Sequence, residues 1–165
     1  MFKLTAKAAA LGALVLAAQA SPAQAILGPD AAACRGAGPA LIVNVNGFKA
    51  RTGRVRVNVY NSAATFLERG RAMRQINVPV TRAGAMPICV SLPAAGRYAI
   101  AVRHDIDGDG SDWSDGGGFS RNPRLSLTSL RPRFDNVAIN VGRAVQPLDV
   151  VLNYRFGLTV RPVRG

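Results

Sequence analysis

The residues with the most chemical potential lie in one run, His104-Asp105-Ile106-Asp107-Gly108-Asp109-Gly110-Ser111-Asp112-Trp113-Ser114-Asp115. Its five aspartates are more than half of the nine acidic residues, in a chain with 21 Lys and Arg and a formal charge of +12. Carboxylates at alternate positions, followed by a glycine that permits a sharp turn, wrap oxygen ligands around a hard cation. Asp105, Asp107, Asp109 and Gly110 match the opening D-x-D-x-D-G of a calcium loop, and the Ser111 carbonyl follows as the next ligand. The last position of such a loop, where an EF-hand carries a bidentate Glu, is Gly116 here, so Asp112 or Asp115 has to complete the shell. Ca2+ is the expected cation. The competing reading is an Asp/Gly-rich turn whose carboxylates accept local backbone N–H groups, with Arg103 and Arg121 as counter-charge.

His104 is the only histidine. It shares its alternation with Tyr98, Ile100 and Val102, which suggests a structural His bonded to a loop carbonyl. With the aspartates it also permits a second chemistry, metal-assisted hydrolysis around an open coordination position. Trp113 and Phe119 flank the acidic run and either stack on a ligand such as a sugar ring or pin the loop to the body of the fold. Other chemistries are poorly served. There is no G-x-S-x-G elbow, too few His and Cys for zinc, and no dinucleotide or P-loop fingerprint.

Short alternating segments must position these residues. Gly53–Tyr60, reading GRVRVNVY, sets Val55, Val57 and Val59 against Arg54, Arg56 and Asn58. Similar alternation runs through Leu41–Val45, Ile76–Val80, Ile88–Leu92, Tyr98–His104, Val137–Val141 and Leu148–Tyr154, and Pro79 marks its segment as an edge. Seven such strands with no helix long enough to cover a sheet predict an all-β, antiparallel two-sheet sandwich, because each sheet must bury one apolar face against another. A single β-sandwich domain is expected over residues 40–165, after a lead segment at 26–39. Its long loop, 105–133, is where chemistry is expected.

The N-terminus has the three parts of a secretory signal: Lys3 and Lys7, an apolar run from Ala8 to Ala18, and a small-residue site ending at Ala25. A signal peptide over 1–25 implies an exported protein, periplasmic or secreted, without a transmembrane anchor after cleavage. In that compartment the only two cysteines, Cys34 and Cys89, favour a disulfide, although Ala31-Ala32-Ala33-Cys34 also reads as a lipid-attachment box. Lys49 is the only lysine beyond the signal, and the arginines are scattered and seldom interleaved with aromatics. Nucleic acid is therefore not an expected partner, whereas anionic cell-envelope polymers remain one.

Gly96-Arg97-Tyr98-Ala99-Ile100-Ala101, His104-Asp105, Asp107, Asp109-Gly110 and Gly118-Phe119-Ser120 together resemble the signature of an exported bacterial family, Domain of Unknown Function 2141. The flanks GRVRVNVYN, Phe134-Asp135-Asn136-Val137 and a last strand ending in Tyr154 fit it as well. The resemblance implies a transthyretin-like or immunoglobulin-like sandwich and no assigned activity. It also implies a longer piece before G-F-S than the Ser111–Gly117 found here, so any ligand contributed by that piece in relatives is missing here, which puts a full metal shell in doubt. Together these readings give a non-enzymatic, exported module of unknown ligand with a structural calcium loop.

Overall fold

In a computed structural model the described residues are 25–110 and 112–163. Except for Ala25, the expected signal segment lies outside them, and so does Ser111. The fold is nearly all β: β1 (Ala40–Asn46), β2 (Arg54–Tyr60), β3 (Arg74–Pro79), β4 (Met86–Ser91), β5 (Gly96–Asp105), β6 (Gly116–Phe119), β7 (Ile139–Val141), β8 (Val145–Val151), β9 (Asn153–Phe156) and β10 (Thr159–Pro162), with two short helical turns among the described residues, a 3-10 turn at Ala33–Arg35 and α1 (Phe134–Val137). A small sheet, β4-β1-β8, faces a large one, β10-β9-β6-β5-β2-β3, with β7 paired to the start of β5. The alternation in β2 does what period-2 patterning requires: Val55, Val57 and Val59 are fully buried in the main core with Val43, Ile88, Ile100 and Leu152.

The seven expected segments form strands, but three features differ from a seven-stranded antiparallel sandwich. First, β1 and β8 run parallel, Ala40 opposite Val145 through Asn46 opposite Val151. Second, the single segment expected over Leu148–Tyr154 turns a corner at Leu152. β8 lies in the small sheet and β9 in the large one, and the Leu152 N–H reaches Asn46 O at 2.9 Å. Third, β6 and β10 are additional. β6 reads Gly-Gly-Gly-Phe and has almost no side chains to alternate, and β10 is a four-residue edge strand. Val137, expected within a strand, ends α1 instead, and β7 begins at Ile139.

The lead segment is docked on β4. Leu27 pairs in parallel with Ile88, and Asp30 joins Arg74 of β3 to the Ser91 N–H of β4, so one carboxylate clasps an edge strand of each sheet. Cys34 and Cys89 are disulfide-bonded across 55 residues of chain. In the chain-entropy description, closing a loop of that length stabilises the fold by about 4 kcal/mol. Urea unfolding of a Cys34→Ala/Cys89→Ala variant is expected to show a loss of that order, and an unchanged midpoint would mean the lead is held without the bridge.

Candidate functional site

β5 sends alternate side chains to opposite faces of the large sheet, and this sorts the motif residues. His104 points into the core and is fully buried. Its Nε2 lies 2.8 Å from the Thr52 carbonyl oxygen and its Nδ1 2.6 Å from the Tyr154 hydroxyl. A carbonyl only accepts, so Nε2 carries the proton and Nδ1 accepts from the tyrosine. The Lys49 backbone N–H also acts on the Tyr154 hydroxyl. Burial pushes the Tyr154 hydroxyl up to about 12, against the smaller opposing effect of that N–H. His104 has no free nitrogen for a metal or a substrate, and the hydrolase reading therefore lacks its central residue.

The same node fixes the loop before β2. Gly53 has φ +73°, and a Cβ there would lie 1.9 Å from the Asp105 carbonyl oxygen. A glycine is therefore required on both conformational and steric grounds. Thr52 Oγ1 donates to Ile106 O at 3.0 Å, and Phe48 meets the His104 ring edge-on.

On the outer side, the acidic run begins from this fixed end. Among the described residues, Asp105, Asp107 and Asp109 bring carboxylate oxygens within 4.8 Å of one another. Asp107 raises the Asp109 pKa, first by hydrogen bonding and then by like charge. Asp105 also accepts the Gly108 N–H at 2.8 Å, and Asp107 the Asp109 N–H at 3.4 Å, so local turn bonds coexist with the cluster. Asp112 and Asp115 are turned to other partners. Asp112 caps Ser114 through N–H and hydroxyl at 2.6 and 2.7 Å, which lowers its pKa. Asp115, its side chain 7% exposed, pairs with Arg103 and accepts the Ile106 N–H at 3.3 Å. Burial raises its pKa and Arg103 opposes that shift.

Sequence reasoning missed a cleft on the outer face of β5, β6 and β9. It has a volume of about 300 Å³ and lies between that face and the 120–133 connection. Trp113, 66% exposed, stands at its rim with the Arg155 guanidinium 4.7 Å from its ring centre. Phe119 is buried in a second, smaller core with Phe66, Ala101, Phe134 and Val137, and it also lines the cleft. The only signal in the sequence was Leu125, Leu127 and Leu130, apolar residues in a connection with no alternation, all of which face the cleft.

A small disulfide-bonded β-sandwich, an Asp-rich loop at the end of β5 and a G-F-S segment on the neighbouring strand are thus brought together. The chain belongs to Domain of Unknown Function 2141, a family described as an uncharacterized protein conserved in bacteria, which it matches over residues 43–148. No curated protein and no solved structure matches it.

Tyr154→Phe leaves His104 Nδ1 without its partner, and a buried polar group left unpaired costs about 1–3 kcal/mol. A tyrosine held above its ordinary value of 10.0 stabilises the fold fully below that pH and loses the contribution as pH rises through about 12. Unfolding measured against pH is expected to show a decline between those values in the wild type and a shallower one in Tyr154→Phe.

Proposed function

We propose that this protein is an exported, non-enzymatic binding module whose acidic loop takes up a calcium ion. The observation that carries the cation is the convergence of Asp105, Asp107 and Asp109 within 4.8 Å, where like charges repel unless a proton or a cation intervenes. A hard cation held by these oxygens would neutralise the crowding and order the segment that carries Trp113 to the cleft rim. Export is supported by the disulfide.

The test is calorimetric titration of calcium into EDTA-stripped mature protein and into an Asp105→Ala/Asp107→Ala variant. Binding by the wild type alone is expected, with a melting temperature that rises with calcium by mass action. Because the Asp109 pKa is raised, protons should compete and affinity should fall as pH is lowered through its titration range. No binding by the wild type would make the aspartates a solvated turn.

An arginine-rich groove supports a second reading, attachment to anionic envelope polymers. Arg56, Arg69, Arg103 and Arg131 line it beside Gln75, Glu68 and Asp109. Retention on a polyanion column should then fall steeply by about 0.3 M salt, and retention that barely weakens would contradict an electrostatic mode.

A further inference from the structure

We propose that the cleft on the outer face of β5, β6 and β9 binds a small, neutral, mainly apolar molecule that carries one hydroxyl or N–H donor. Its volume, about 300 Å³, is at the lower end of the range of small-molecule sites. Leu67, Leu125, Leu127, Leu130 and Phe119 wall it, and Leu130 is exposed to solvent. Apolar side chains gathered around a concavity in this way mark a binding surface.

The floor is the more specific sign. β6 begins with three glycines, and packing accounts for two of them: a Cβ on Gly116 would lie 2.4 Å from the Tyr154 ring, and one on Gly118 2.7 Å from Val150 and from the Val151 carbonyl. Gly117 faces the cleft opposite Arg103 and Asn153, and a Cβ there would meet nothing within 4 Å. Among the described residues, no contact requires a glycine at that point. A missing side chain in a strand, beneath open space, fits close approach by another molecule.

Polarity and charge define the occupant. Asn58 lines the cleft, and among the described residues its buried Oδ1 has no hydrogen-bond partner. A buried acceptor left open calls for a donor. The charged groups around the cleft are already engaged: Arg103 with Asp115, Asp112 with Ser114, and Arg155 with the Gly157 carbonyl and the Trp113 ring. An ionic ligand would have to displace one of these contacts, whereas a neutral one would not. Nothing here depends on calcium.

N-phenyl-1-naphthylamine is a probe of this chemistry, neutral and apolar with one N–H. Trp113, the only tryptophan, sits at the rim to report on it by energy transfer. With mature protein in EDTA, saturable binding is expected, quenching Trp113. Gly117→Leu, which fills the floor, should weaken binding tenfold or more at an unchanged melting temperature. If that variant misfolds, Leu127→Arg serves in its place with the same expectation. Asn58→Leu should weaken binding about tenfold, the net effect of one hydrogen bond, and leave the affinity of the N-methylated probe unchanged. The proposal is overturned if binding is not saturable, or if the cleft-filling variant binds as the wild type does. It is also overturned if the wild type is a dimer that Gly117→Leu dissociates, since the cleft would then be an interface between copies.

Discussion

The interaction on which the rest of this structure depends is a short chain of hydrogen bonds through two buried side chains, His104 and Tyr154. It runs from the Thr52 carbonyl through His104 to the Tyr154 hydroxyl. The His104 ring and the Tyr154 hydroxyl satisfy one another in a place where either alone would be costly. One end of the chain lies in the connection between β1 and β2, and the rest belongs to β5 and β9, so one network ties together three parts of the molecule distant in sequence. The Tyr154 ring fills the space above Gly116, and the chain crosses beside Gly53, where no side chain fits. Asp105 therefore leaves β5 from a fixed point, and the acidic loop inherits that position.

Much of the family signature is explained by this framework. Gly118 lets β6 approach Val150 and Val151, Phe119 fills the second core, and the buried Ser120 hydroxyl accepts the Ile100 N–H at 3.0 Å and donates to the Val137 carbonyl. His104 belongs with them. The residues left without a packing role are those on the other face or beyond the strand end: Asp105, Asp107, Asp109, Trp113 and Gly117. Fold and site thus share one motif: inward positions build the main core, and outward ones either pack the second core, as Phe119 does, or are left for contact.

That alternation also decides what was legible beforehand. Strands with β-branched residues at every second position announced themselves, and so did the edge at Pro79, because burial of one face leaves a period-2 record. β6 left no such record, since glycines have no side chains to bury. The parallel pairing of β1 with β8 and the corner at Leu152 depend on which sheet a strand joins, and local pattern does not carry that information. At the site, adjacency in sequence was misleading in one respect. His104 and Asp105 look like partners for one metal, yet neighbours on a strand point to opposite faces. The cleft was invisible for a different reason: its walls come from β2, β5, β6, β9, β10 and the 120–133 connection, and only folding brings them together.

The buried network is tested most directly by long-range proton–nitrogen correlation on uniformly labelled protein, where the single histidine gives one set of ring signals. A proton on Nε2 that exchanges slowly with solvent, together with a bare Nδ1 coupled to no hydrogen of its own, is the expected result. A proton on Nδ1 in place of Nε2, or ring protons that exchange freely with water, would contradict the hydrogen-bond chain and, with it, the framework that positions the loop and the cleft.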